Sequence, residues 1–268
     1  MSLMAQVALG AMGKPGTEDL VLASQADTEG WYGRLRNARE LTRRAMDSAE
    51  RNDAKETAAI YQAAAGLREV EAGNREQARA DADAAVRLGP TRDVQAMAAL
   101  ALARAGDTST AEQLAAEVGK QLPLDTMAQR YWLPMVHAAV ALEHKDPNRA
   151  VELLQVTSPM ELGLPAEGAL WPVYLRGEAY LMMHDAKAAA REFQKFVDHY
   201  GVVGNFPLGA MARLGLARAY ALDVDKDPAA RDKARAAYQN FLSIWKDADP
   251  DIPIYKQAKA EYAKLGRQ

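Results

Sequence analysis

The chain has no cysteine, which excludes a disulfide scaffold and any thiolate zinc site. Aromatics are scarce, at 7% of 268 residues, and 33 basic against 36 acidic side chains leave a net charge of only −3. That near balance, with a pI near 5.9, argues against a nucleic-acid module, which shows a basic stripe. No apolar run approaches the roughly 18 residues of a transmembrane helix. No short stretch alternates apolar and polar residues between turn signals, and the cluster closest to a strand, Val202-Val203, sits among Gly201, Gly204 and Asn205. What is abundant is alanine, 55 residues or about a fifth of the chain. Alanine is the best helix former and lets helix axes approach closely, so the chain reads as all-α. A hydrophobic share of 49% is too high for disorder.

The alanines fall in register. Gly66, Gly73, Ala78, Ala85 and Pro90 repeat as Ala99, Gly106, Ala111, Val118 and Pro123, about 34 residues on, the period of a tetratricopeptide array. Ala26, Gly33, Ala38 and Ala45 fit upstream, and Ala138, Lys145, Ala150 and Leu154 form a weaker unit. Gly177, Tyr180, Ala189 and Phe193, then Ala217, Tyr220, Ala234 and Tyr238, continue it downstream. Small residues belong where two helices cross, and a glycine supplies positive φ at the turn between them.

This register predicts a right-handed α-solenoid of about six helix pairs. They fall near 17–31 with 35–50, 54–72 with 75–88, 91–105 with 108–121, 125–144 with 147–156, 168–183 with 186–199, and 207–222 with 229–246. A short helix near 4–12 precedes them, and one near 253–266 caps the array with Lys256, Lys259, Glu261, Lys264 and Arg267 outward. Residues 1–3, Met1-Ser2-Leu3 ahead of Met4, read as an added start, since no secretory core follows. Residues 4–156 and 168–268 are expected as two runs of one continuous array joined by a loop at 157–167, with bends expected there and at Tyr200 to Pro207.

Two stretches carry a family resemblance. LGLARAYALDVDKDPAARDKARAAYQNFLSIWKDADPDIPIYKQAKAEYAKL, from Leu214, and EDLVLASQADTEGWYGRLRNARELTRRAMDSAERNDAKETAAIYQAAAGLREVEAGN, from Glu18, resemble the tetratricopeptide region that follows the kinase domain in a group of bacterial serine/threonine protein kinases. Similar arrays follow winged-helix DNA-binding domains in bacterial regulators. The resemblance implies a non-catalytic region of a bacterial signalling protein whose partner is a protein or peptide. Nothing in it makes this chain a kinase: there is no Gly-rich phosphate loop, H-R-D or D-F-G, and no G-x-x-x-x-G-K-[ST].

Other chemistry is equally sparse. His137, His144, His184 and His199 form no H-E-x-x-H, no G-x-S-x-G occurs, and no catalytic, cofactor or metal residue is expected. Arg34, Arg36, Arg39, Arg43 and Arg44 suit a solvated helix face with Glu40 and Asp47, and Asp249 and Asp251 suit a solvated turn. A soluble array with no membrane contact of its own is expected, cytoplasmic in preference, under a parent that membrane anchoring would suit; which side of the membrane it faces stays open.

In a tetratricopeptide array the first helix of each unit lines the concave side. Its ligand-reading positions here include Trp132 and Met135, then Trp171, Tyr174 and Glu178, then Arg218. The expectation is an aromatic patch of Trp132, Met135, Trp171 and Tyr174, flanked by Glu178 and Arg218, that anchors a protein or peptide in the groove. The Lys and Asn that grip a chaperone carboxylate are missing from the matching positions. A helical enzyme or small-ligand binder with an apolar tunnel, and a homodimer through an unpaired end helix, are the other classes left open.

Overall fold

The computed structural model describes residues 10, 11, 13, 14, 16–163, 170–225 and 227–266. Residues 1–3, most of the helix expected near 4–12, the end of the 157–167 loop and Arg267 lie outside them. Among the described residues every regular element is a helix. Six antiparallel pairs follow one another: α1 (Glu18–Trp31) with α2 (Leu35–Arg51), α3 (Lys55–Glu71) with α4 (Arg75–Leu88), and α5 (Arg92–Arg104) with α6 (Thr108–Gln121). Then come α7 (Leu133–Glu143) with α8 (Pro147–Leu154), α9 (Trp171–Met182) with α10 (Ala186–Asp198), and, after the one-turn α11 (Tyr200–Val203), α12 (Leu208–Ala221) with α13 (Pro228–Ile244). Helix α14 (Pro253–Leu265) closes the series. A π-helical turn, Ala128–Trp132, leads into α7.

The alanine register is a set of crossing points. Ala26, Ala38, Ala45, Ala78, Ala85, Ala99, Ala111, Ala138, Ala150, Ala189, Ala217 and Ala234 are all buried. A side chain larger than a methyl there would push the axes apart. Turns between paired helices adopt positive φ at Gly33, Gly73 and Gly106, and equally at Lys145 and His184. The last two are residues that pay a small strain, about 1–2 kcal/mol, for the same geometry.

The first helices of the units form an inner layer in which α3 packs on α5, α5 on α7, α7 on α9 and α9 on α12. Helix α12 then returns to pack on α1 and α3. The array is a closed ring. Its seam joins the first unit to the last: the Trp245 indole N–H donates to the Trp31 carbonyl at 2.9 Å, and the Asn205 amide donates to the Ser24 carbonyl at 2.7 Å. Backbone N–H groups of Asp249 and Ile254 donate to the carbonyls of Gly33 and Ala72. Asp249 and Asp251, expected as solvated turn formers, thus belong to the seam. The Asp249 carboxylate accepts from the Arg36 N–H at 2.9 Å, where α2 begins, and Asp251 pairs with the Arg36 guanidinium at 3.0 Å.

Candidate functional site in the ring lumen

Closure turns the concave groove into a lumen. At one mouth lies a cavity of about 390 Å³ walled by the C-terminal ends of α3, α5 and α7, by α9 and α12, and by the start of α14. Inner helices end there because each unit turns outward at the same height, so their last residues converge. Arg104, the last residue of α5, stands at the centre. Its guanidinium donates to Glu71 at 2.7 Å and to both oxygens of Glu178, one at 3.0 Å, and lies 5.8 Å from the Tyr174 ring centre. Burial alone would lower the Arg104 pKa, but the two carboxylates outweigh it and hold it well above the ordinary arginine value. Burial raises Glu71 above the ordinary carboxylate range, Arg104 opposing and the like charge of Glu178 adding to it. Burial likewise raises Tyr174.

The six residues expected to take a partner separate into two groups. Tyr174, Glu178 and Arg218 line this cavity. Trp132, Met135 and Trp171 do not; they are core, 6%, 0% and 1% exposed. Tyr174 is itself 6% exposed and sits among rings, edge-on to Trp171 at 6.0 Å and to Phe193 at 5.8 Å. The open aromatic patch is therefore corrected to a packed cluster with one wall facing the lumen. The ring is tight enough that positions facing an open groove in a looser superhelix meet the next unit instead. Arg218 does not pair with Glu178. It makes two bonds to Glu261 of α14, which also accepts from Tyr238 and Gln257. Glu261, expected on the outer face of the capping helix, is turned inward by that pair, while Lys256, Lys259 and Lys264 stay outside. Arg104 and Glu71 were not singled out by sequence. The available signal was an Arg and a Glu, each at the helix end just before a turn glycine.

The basic run pairs at Arg34, Arg36, Arg39 and Arg43. Arg43 bridges Glu40 and Asp47, as the spacing suggests, whereas Arg39 reaches across to the buried Glu69 of α3. Beside it, a cavity of about 270 Å³ includes Asp81 of α4, whose carboxylate accepts from Gln62 and Gln77. Burial pushes the Asp81 carboxyl up to about 6 from 3.8. A folded-state pKa above the unfolded one means that stability falls as pH rises from about 4 to about 6, the penalty persisting above that. Asp81→Asn should therefore raise stability at pH 8 by about 1–3 kcal/mol and flatten the dependence between pH 4 and 7. Thermal melts of both proteins across that range test it; an unchanged slope would place the charge in water.

No family model matches the chain, and no curated protein does either. Solved structures do. Yeast Tom70 superposes with a TM-score of 0.52 over 99% of this chain at 13% identity, and this chain spans 58% of that one. A tetratricopeptide repeat protein from Parabacteroides merdae gives 0.55 over 99% of this chain and 91% of its own, also at 13% identity. The fold is a tetratricopeptide α-solenoid. At that identity the likeness speaks for architecture, and the lumen chemistry is this chain's own. None of the helices among the described residues is long and apolar enough to cross a membrane.

Proposed function

We propose that this chain is the non-catalytic interaction and sensing region of a bacterial signalling protein, a serine/threonine protein kinase, and that it takes a protein or peptide partner on its concave side. The observation that carries the site is the convergence of Tyr174, Glu178, Arg104 and Arg218 from three inner helices, α9, α5 and α12, on one opening. Tetratricopeptide arrays present such inner helices to partners, and charged groups beside an aromatic wall supply both specificity and contact area. The kinase parent rests on the resemblance of the Glu18 and Leu214 stretches. Residues 4–156 and 168–268 act as one array in this proposal, not as separate modules.

Affinity capture on the immobilised chain, read by mass spectrometry, tests the site. Glu178→Gln leaves Arg104 its bond to Glu71, so the fold should persist while partner retention drops by about tenfold, the loss of one charge-assisted contact. Equal retention by both proteins, with equal helicity, would remove the lumen as the binding surface. A second reading, a small-molecule sensor, is favoured by the cavity itself. Its 390 Å³ lies within the range of small-ligand sites.

A further inference from the structure

We infer that the cleft walled by α2, α3 and α4 binds a small organic cation, an aliphatic primary ammonium compound whose head is held by the Asp81 carboxylate. The cleft is the cavity of about 270 Å³ beside the basic run, and it shares no lining residue with the lumen mouth. The inference is therefore independent of the partner reading above. Elsewhere among the described residues, buried carboxylates come with a cation or a helix start. Glu69 is held by Arg39, Glu71 by Arg104 and Glu161 by Arg176. Asp19 accepts from the Tyr61 hydroxyl and stands in the first turn of α1, where the helix dipole favours negative charge. Asp81 has neither. It is 8% exposed and lies in the middle of α4, and its bonds within the chain are to neutral amides. Oδ1 takes both, from Gln62 at 2.7 Å and from Gln77 at 2.9 Å, and Oδ2 takes none. Nor is Oδ2 among the sealed atoms without a partner, which are Asp19 Oδ1, Arg79 Nε and Trp171 Nε1 among the described residues. It retains surface, and the surface that Asp81 lines is this cleft. An ionised carboxylate held this way is costly until a cation reaches it.

The two arginines at the cleft are engaged elsewhere. Arg39 gives Nε and a terminal nitrogen to the Glu69 carboxylate, and Arg43 divides its guanidinium between Glu40 and Asp47. What they leave over is anionic: Asp81 within and Glu50 at the exposed rim. A ligand of negative charge would meet both. A metal ion is disfavoured for a different reason, since no three carboxylate or imidazole groups among the described residues are grouped to hold one. An ammonium head needs fewer partners and brings three donors. Oδ2 of Asp81 is one acceptor, and the amide oxygens of Gln62 and Gln77 accept nothing else among the described residues. Met46 and Ala65 give methylene groups an apolar wall, and a diamine has a second head for Glu50. Other charges near Asp81 are accounted for. Arg39 from α2 and Arg68 from α3 favour its ionised form through space, and Glu69 from α3 opposes it. Arg68 is committed to Asp27 and Thr42. Helix α5, also packed on α4, carries its charges at its ends, in Arg92 with Asp93 and in Arg104, each paired elsewhere. One turn away on α4 itself, Gln77, Ala78, Ala84 and Ala85 are uncharged.

Isothermal titration with putrescine, a four-carbon diamine, at pH 8 and pH 5 and matched ionic strength tests the site. The probe keeps both charges over that range, whereas the Asp81 carboxyl titrates at about 6 in the empty cleft. Only about a tenth of it is ionised at pH 5, so putrescine should bind the parent about tenfold more weakly there than at pH 8. Asp81→Asn should weaken binding at pH 8 by about tenfold or more and remove the dependence on pH. That variant is expected to fold at least as stably as the parent, so its loss of binding is not a loss of structure. Glu50→Gln, at the wet rim, should weaken binding by less. No binding of putrescine to the parent at pH 8 overturns the site. Equal binding by the parent and Asp81→Asn does so too, because it marks general attraction to acidic surface. A parent affinity that does not change with pH overturns Asp81 as the anion, and a larger loss in Glu50→Gln than in Asp81→Asn overturns the placement of the head.

Discussion

Replacing Arg104 with methionine is expected to lower the stability of the chain by about 3–5 kcal/mol, because it leaves two carboxylates facing each other in a buried site. The Arg104 side chain is 13% exposed and that of Glu71 7%, so water compensates little. The sign of the pH response identifies the cause. Glu71 already has a raised pKa, from burial first, with Arg104 opposing; removing the guanidinium raises it further. A carboxyl whose folded-state pKa lies above its unfolded value destabilises the fold once ionised, and the penalty is relieved as pH falls through the folded value. The deficit of Arg104→Met should thus be largest at pH 8 and shrink on going to pH 5. Arg104→Lys should recover part of it, since an ammonium keeps the charge but cannot hold both carboxylates with a planar fork. Melts of the three proteins at the two pH values decide the matter. A pH-independent deficit would mean that Arg104 contributes mainly by packing.

The parts of this structure legible in sequence are those whose contacts are local. Ala78 packs with Val70 of its own unit and Ala105 of the next, so a 34-residue period carries the information, and α4 occupies the residues expected for it, Arg75 to Leu88. Lys145 and His184, at the turns of units that lack the glycine, take positive φ. Ring closure has no such period. It pairs residues about two hundred positions apart, in part through backbone carbonyls of Trp31, Gly33 and Ala72, which carry no residue signature. Its traces were the off-register glycines Gly30 and Gly209 and the Asp249-Pro250-Asp251 turn, and each has an ordinary local explanation. The lumen was half legible for the same reason. Register fixes which face of α9 points inward, and so finds Tyr174 and Glu178. Only closure decides whether that face meets solvent or another helix.

Closure also changes what a core substitution costs. In an open solenoid a unit near the end frays at the loss of one interface, whereas in a ring each unit is held on both sides.

Trp171→Ala should therefore cost about 3–5 kcal/mol, the usual loss for deleting a buried large aromatic. Helicity should fall at a correspondingly lower temperature, in contrast to the intact fold expected of a surface anchor. Trp171 is 1% exposed and stacks edge-on against Tyr174. One detail separates its packing role from any polar role. Among the described residues its indole N–H has no hydrogen-bond partner although it is buried. An unmet buried donor costs about 1–3 kcal/mol, so Trp171→Phe removes a penalty together with part of the ring volume. The two changes offset, and Trp171→Phe should melt within about 1 kcal/mol of the parent. If phenylalanine proved as damaging as alanine, the N–H would have a partner in the folded chain, and the lumen wall behind Tyr174 would be polar where the packing makes it apolar.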